Sequence, residues 1–531
     1  MFTPLLDQPF RFLDGIVTTP TSLPVSNVNL GEFSRDLFHG IRWLHQVHGP
    51  IAAIQQGGQK VVFLFSPEYN QQVLSDTETY HARFFSVRGP KHSAQRRLTS
   101  GLLTMNGEQH RHNRRIVKEP FSLKAIATYG DTILRLTDEM LAGWRPGDVR
   151  DIAEEMRQYM LRVTSTMLFG MDDQSLAFKL GDMIAEWTTL NHEVGVGALV
   201  SNDCFSNQYE SLLSYANELE SEIMGMIRRR RASADAGSDV LSILIRTHDK
   251  DGGLTDEELV GQAAVLFGAA HMTTAHSLSW ILLLLAQHPS VMKSLWEEFN
   301  RPISGGVGPD FSGMQGAKGG AVSGYPPGEL RGPKSMGSLP KGEDLSLLDR
   351  VIKEGMRLLP ASAYSQRINN VPVRLGPFDL PRGTGIVFTP LVTHHLEYLY
   401  PEPERFIPDR WLTLRPSPYA YHPFGGGPRL CIGAPMATAV IRIALRRILS
   451  RFRLSVVPGA EVGVHVESTM LMPTTGVPMQ IDRAGGQYVS SPITGDIHEL
   501  VDFVESPTFA GGEEHAVSRC DGRSANPRRP R

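Results

Sequence analysis

One stretch limits what this chain can fold into more than any other: residues 259 to 286, LVGQAAVLFGAAHMTTAHSLSWILLLLA. It is apolar on almost every side. A start signal precedes it, with Thr255 as the cap and Glu258, three residues on, completing a capping box. The pattern predicts a helix over 255–288, roughly 50 Å long at about 1.5 Å per residue. A helix that is apolar all round belongs either in a bilayer or at the centre of a large domain. Gln262, His271, Thr273, Thr274 and His276 sit at its middle, where a lone membrane span carries them at a cost. The core of a large domain is therefore expected. Composition agrees: 531 residues, 41% hydrophobic and 21% charged, provide an ample core. A net charge of -3 gives no global basic field for nucleic acid or a membrane surface. The opening MFTPLLDQPFRF has no basic segment ahead of an apolar run, so neither leader nor membrane anchor is expected. A soluble, cytoplasmic chain is the expectation.

Helical patterns dominate around this stretch, at 107–118, 131–144, 150–169, 174–192, 207–231, 239–249, 290–299, 344–358 and 433–451. Strand-like runs are short: 51–54, 60–65, 361–367, 386–389, 454–457 and 470–482. The fold class expected is mainly α with a minor β region. Residues 302–342 are dense in Gly, Pro and Ser without periodicity and read as an insertion. Residues 485–531 read as a disordered tail, which leaves one domain over 1–484.

Only three cysteines are present, Cys204, Cys431 and Cys520. They cannot build a disulfide framework or a four-thiolate cluster, and they suit a reducing compartment. Cys431 stands in HPFGGGPRLCIGAPMATAVIRIAL. Gly425, Gly426 and Gly427 allow a tight turn with exposed N–H groups, Pro428 fixes it, and a helix follows. Backbone donors and Arg429 favour a thiolate here. A thiolate is a nucleophile or a soft metal ligand. The first role needs a base, for which His422 is the candidate; the second needs only room for the metal and hydrogen bonds to sulfur.

The spacing Phe424-Gly-x-Gly-x-Arg429-x-Cys431-x-Gly433 resembles the haem-binding loop of the cytochromes P-450. The resemblance implies the fold of that family, with the long central helix lying over haem b (iron protoporphyrin IX) and Cys431 as the iron's axial thiolate. Phe424 and Gly433 would flank the ligand. Further stretches follow in the family's order. Glu354-Gly-Met-Arg357 resembles its Glu-x-x-Arg pair. PERFIPDRW, residues 403–411, resembles the segment whose arginine completes that ion network; Arg405 and Arg410 are both available, and Arg405 is the expected partner. His110 and Arg114, at i and i+4 on a helix opening, resemble the pair that meets a haem propionate, and Arg367 and Arg429 fit the remaining propionate positions. On the distal side Ala269-Ala-His-Met-Thr273-Thr resembles the oxygen-groove signature, with Ala269 against the haem and Thr273 supporting bound oxygen. Two departures stand out: Ala270 replaces a usual glycine, and Met272 replaces a usual acid.

The activity so implied is insertion of one oxygen atom from O2 into an apolar small molecule. No flavin or iron–sulfur module accompanies the haem domain, so a separate ferredoxin- or flavodoxin-type donor is implied, with Arg111, Arg115, Arg446 and Arg447 as candidate docking cations. Residues 84–103, with Trp187, Leu190, Val194, Val196, Leu199 and Phe205, would roof the substrate, and Met470-Leu-Met472 would turn into its pocket. Ala270 and Met272 keep other readings open: a haem-thiolate isomerase, dehydratase or peroxide-driven enzyme, or a non-enzymatic haem sensor or ligand carrier. His271 reads as a core histidine ahead of a relay or an iron ligand.

Overall fold

A computed structural model describes residues 22–83, 87–170, 174–197, 205–232, 237–248, 254–300 and 345–503. The segment 302–342, expected as an insertion, lies outside them, as do Cys204 and Cys520.

The apolar stretch forms the central helix Asp256–Gln287. Its capping box is made: Thr255 Oγ1 accepts the Glu258 N–H at 3.2 Å, and a Glu258 carboxylate oxygen accepts the Thr255 N–H at 2.9 Å. The helix is long and apolar enough to cross a membrane, but most of it is buried inside the protein, as in a core helix. It packs against helices Ile152–Phe169, Gln174–Gly197, Leu347–Leu358 and Ala434–Arg451. Burial runs from Leu259 to Phe267 and from Thr274 to Gln287. Between them Gly268, Ala269, Ala270, Met272 and Thr273 stay partly accessible, and only His271 is buried. A helix apolar all round thus opens at one place.

The β region is small. A six-stranded mixed sheet runs in the order Val25–Asn27, Ile51–Gln56, Gln59–Leu64, Gly385–Phe388, Ser365–Asn369, Tyr80–Ala82. Its register sets Arg367 between Ile386 and Ala82. Phe452–Val456, Pro478–Arg483 and Val149–Asp151 form a second sheet, and Val464–Glu467 pairs with Met470–Pro473 as a hairpin.

Several expectations need correction. Residues 485–503 are not tail: Ile493, Ile497, Leu500 and Val501 are buried, Thr494 exchanges backbone hydrogen bonds with Ala460 and Val462, and Glu499 pairs with Arg42. These four apolar side chains stand at i, i+4, i+7 and i+8, a helix-face spacing that went unread among polar neighbours, and they complete the core. The folded unit therefore reaches residue 503 rather than 484. The expected single strand 470–482 is two, because Pro473, Gly476 at φ +78° and Pro478 break it. Helix Leu123–Ala142 begins at Leu123 rather than 131, where Ser122 caps it by accepting the Ala125 N–H. Helix Leu37–His48 was not expected; Asp36 caps it, and Phe38, Ile41 and Leu44 bury one face.

The packing has a consequence for acid stability. His271, His276, His394 and His422 are all at most 5% exposed. Burial, the first cause in each, holds His271 and His276 down to about 4 and His422 to about 3, and puts His394 well below the ordinary 6.5. Below pH 6.5 the unfolded chain binds more protons than the folded one, so stability present above 6.5 is lost as pH falls toward 4. For His276 alone the loss at pH 4 is on the order of 3 kcal/mol. The thermal midpoint is expected to drop steeply between pH 6.5 and 4.5. A flat profile would mean these imidazoles are not held neutral.

Candidate functional site

Cys431 ends a loop built for close approach. Gly425 and Gly427 take φ of +71° and +64°, and a Cβ on Gly427 would stand 2.0 Å from the Leu74 carbonyl oxygen, so only glycine fits there. The Cys431 N–H donates to Phe424 O at 2.9 Å, and Leu430 N–H to Gly427 O at 3.0 Å. Helix Ala434–Arg451 starts just beyond. A Cβ on Gly433 would lie 3.8 Å from Sγ, so glycine there leaves the sulfur uncovered.

The sulfur's electrostatics differ from the sequence expectation. Cys431 is accessible, yet protein atoms surround it closely enough that burial pushes its thiol up. Hydrogen bonds from the Gly433 and Ala434 N–H groups and the Arg114 charge pull the other way without winning. Loop geometry alone therefore does not make a thiolate; a bound metal does. His422, the candidate base for a nucleophilic cysteine, has no hydrogen-bond partner on either ring nitrogen, and its ring meets His394 edge-on at 5.1 Å. The nucleophile–base arrangement is thus absent among the described residues.

Four cationic or basic side chains from three elements share one region. His110 and Arg114 come from helix Gly107–Val117, Arg367 from its strand, and Arg429 from the cysteine loop. Burial lowers His110 to about 4, and the charges of Arg429, Arg114 and Arg367 add to it. Arg367 and Arg429 are each lowered to about 10, by burial first and then by a neighbouring arginine. None of the three arginines pairs with a carboxylate among the described residues; they reach carbonyls instead, Arg114 that of Leu430 at 2.5 Å and Arg367 that of Gln366 at 2.8 Å. The Arg429 Nε is buried without a partner. Mutual repulsion at partly buried sites is unfavourable unless anions join it. This donor set fits a group bearing two carboxylates beside an iron, which is what haem b brings.

The sequence reading missed Asn106. Its side-chain carbonyl accepts from Arg429 and from the Ala82 N–H, both at 2.8 Å, tying the cysteine loop to the sheet edge. An asparagine at the helix cap was the available signal, but its side chain makes no capping bond because it is used here.

Behind the loop lies a buried ion network. Glu354 and Arg357 are both 0% exposed. Glu354 accepts from Arg357 at 2.9 and 3.0 Å, from Arg410 Nε at 2.9 Å, from Trp411 Nε1 at 3.0 Å and from Ile407 N–H at 3.0 Å. The expected partner Arg405 is corrected to Arg410. The turn at Glu402, with φ +52°, points the Arg405 guanidinium outward to Glu402, and only the Arg405 carbonyl joins, accepting from Arg357 at 3.2 Å.

On the facing side, the Thr273 hydroxyl donates to Ala269 O at 2.7 Å, which leaves its oxygen free to accept. His271 turns away: its Nε2 meets Arg157 O at 3.1 Å, and its ring packs near Phe267. In the expected roof, Trp187 is 1% exposed and its Nε1 donates to Gln95 Oε1 at 2.7 Å, and Arg97 pairs with Glu220. Trp187 and Val194 are therefore core rather than lining. The side chains of Val196, Leu199 and Phe205 lie outside the described residues. Of the docking cations, Arg111 pairs with Glu78 and Glu108, and Arg447 with Asp138, while Arg115 is exposed.

A model of the cytochrome P450 family matches this chain at residues 18–315 and 334–480. The chain belongs to the cytochrome P450 family. It is accordingly a haem-thiolate monooxygenase, an oxidoreductase whose cofactor is haem b. Among its relatives is the cyclooctat-9-en-7-ol 5-monooxygenase of Streptomyces melanosporofaciens, 28% identical over 457 residues, covering 83% of this chain and 90% of that one. The pentalenene oxygenase of Streptomyces avermitilis is 27% identical over 469 residues, covering 86% and 95%. The crystal structure of the cytochrome P450DA heme domain superposes with a TM-score of 0.69 at 19% identity, covering 87% and 98%. The retinoic acid-bound cyanobacterial CYP120A1 does so at 0.67 and 22%, covering 87% and 100%. At these identities the two structures speak for the P450 fold alone.

Proposed function

We propose that this P450 inserts one oxygen atom from O2 into a C–H or C=C bond of an apolar small molecule, with electrons from a separate ferredoxin- or flavodoxin-type protein. The observation that carries the reading is that Arg114, Arg367 and Arg429, with no carboxylate partner among the described residues, and the neutral imidazole of His110 share one region with an accessible Cys431. Haem b, when bound, supplies the iron at which O2 is activated. Cys431 would hold that iron through its sulfur, with the Gly433 and Ala434 N–H groups bonding to the sulfur. His110, Arg114, Arg367 and Arg429 would hold the propionates, guanidinium forks matching carboxylates. Phe424 and Gly433 would flank the ligand, and Ala269 would lie against the macrocycle. Thr273 Oγ1 would accept a hydrogen bond at the oxygen site. Glu354, Arg357 and Arg410 would brace the loop from behind.

The relatives' names support the substrate class. One acts on cyclooctat-9-en-7-ol and another on pentalenene, compounds named for their carbon skeletons and double bonds. A cyclic, mostly hydrocarbon substrate is proposed for this chain. The test uses the holoenzyme with a surrogate ferredoxin and reductase. Candidates are first screened for a substrate-induced spin-state shift, and O2 and reductant consumption are then measured for each binder. Product formed together with use of both is expected. Conversion without either would sink the reading in favour of an isomerase, dehydratase or peroxide-driven enzyme.

A further inference from the structure

Activating O2 and releasing one of its atoms as water consumes two protons, and Met272 cannot carry one. On the central helix Met272 and His276 are i and i+4, so they share a face, with His276 one turn on. His276 is 5% exposed, and its Nδ1 is buried without a partner. The same face rests on the hairpin Val464–Pro473, because Trp280, one further turn along, donates from Nε1 to Leu471 O at 3.1 Å. At that hairpin's turn Glu467 is 38% exposed and meets His465 Nε2 at 3.4 Å. The next residue, Ser468, takes φ +57° and donates its N–H to His192 Nε2 at 3.3 Å, pinning the turn to helix Gln174–Gly197. The hydrogen bond with His465 holds the Glu467 carboxyl below its ordinary range against burial, and His192 and His276 add to this.

We propose that Glu467 and His276 form the proton route to the oxygen site, replacing an acid at position 272. This rests on the monooxygenase reading. A proton from bulk water is taken by the partly exposed Glu467 carboxylate. It passes to neutral His276 at one ring nitrogen, while the other nitrogen releases a proton toward Thr273. Thr273 Oγ1 takes up that proton as its own hydroxyl proton leaves Ala269 O for the oxygen site, and the hydroxyl is restored after each passage. Each passage returns Glu467 to carboxylate and His276 to neutral imidazole. No electron moves, and two passages meet the demand of one turnover. Among the described residues, three histidines and two further carboxylates bear on this pair. His271 lies on the same helix, bonded to Arg157 O and influenced by Glu154. His465 comes from the hairpin, and His192 with its neighbour Glu193 from the roof helix. His271 points the opposite way and does not serve.

The test compares Glu467→Gln and His276→Phe with the wild-type holoenzyme. The share of reducing equivalents recovered as product is expected to fall about tenfold or more in each, the scale of a lost proton donor, with hydrogen peroxide released instead. Turnover driven by added hydrogen peroxide, which brings its own protons, is expected to stay near wild type. Adding Met272→Glu to His276→Phe is expected to restore coupling. A readout independent of turnover is the imidazole NMR titration of the substrate-free protein, where Glu467→Gln should lower the midpoints of His192 and His276. Unchanged coupling in both variants overturns the proposal. So does an equal loss with peroxide, which marks structural damage, and so do unshifted histidine midpoints. Product formed by the wild type without O2 overturns the functional reading, and the proposal with it, before any variant is made.

Discussion

Cys431→Ala is expected to abolish the thiolate-type Soret band of the reduced, carbon monoxide-bound protein and to reduce oxygenation to background. The change removes one sulfur atom and little else. The loop's own bonds, Cys431 N–H to Phe424 O and Leu430 N–H to Gly427 O, are backbone bonds that alanine keeps. Far-UV circular dichroism and the urea midpoint of the haem-free protein should therefore stay close to wild type. Cys431 is the one cysteine among the described residues, so no other thiolate there can take its place. The His422 ring lies behind the loop against His394 and Phe388, and cannot replace the ligand without leaving that packing. Haem retention is expected to weaken but not vanish, because His110, Arg114, Arg367 and Arg429 still offer partners for two carboxylates. A variant that kept the thiolate-type band would show that another group holds the iron and would end the assignment of Cys431.

How much of this was legible in the sequence depended on the range of each signal. The central helix, its capping box and the cysteine loop are local patterns, carried by residues within one helix or one turn, and they formed as read. Signals that need a third dimension were weaker. The strand holding Arg367 could be placed, but not its register between Ala82 and Ile386, which brings that arginine toward Arg429. Asn106 read as a helix cap, because nothing in its neighbourhood foretells that Ala82 and Arg429 would claim its amide. Residues 485–503 read as tail because the Gly- and Ser-containing run ahead of Ile493 drew attention from the short i, i+4, i+7, i+8 stripe of Ile493, Ile497, Leu500 and Val501. Their burial comes from docking onto segments near Ala460 and Arg42, distant in sequence. The state of Cys431 was misread for a related reason. Nearby donors are visible in sequence, whereas the desolvation that outweighs them is a sum over many non-local atoms. Met272 is the converse case. The sequence showed the missing acid, but the hairpin carboxylate lying near the same helix face belongs to a strand almost 200 positions later and emerges only from the fold.

The choice between Arg405 and Arg410 turns on the same distinction and leads to the second large effect. Glu354→Ala is expected to destabilise the protein by about 3–5 kcal/mol, the range for breaking a buried ion pair by removing one partner. That is a large fraction of the roughly 5–15 kcal/mol that stabilises a typical domain. The cause is what remains. Arg357, 0% exposed, and Arg410, 7% exposed, would keep their charges without the carboxylate that balances both, and the Trp411 and Ile407 N–H groups would lose their acceptor. Arg410→Ala should cost nearly as much, because its guanidinium also ties the Pro401 and Glu402 carbonyls. Arg405→Ala should cost about 1 kcal/mol or less, since its pair with Glu402 is exposed and its carbonyl still receives Arg357. The checks are urea midpoints at pH 7 and the haem content of purified protein. This network packs directly behind the cysteine loop, with Tyr400 donating to Ala420 O and Tyr421 to Lys353 O, so loosening it should release haem before the helices melt. If Arg405→Ala proved the more damaging variant, the arrangement around Glu354 would be wrong. If haem loss did not precede unfolding in Glu354→Ala, the network would support the fold as a whole rather than the loop that carries Cys431.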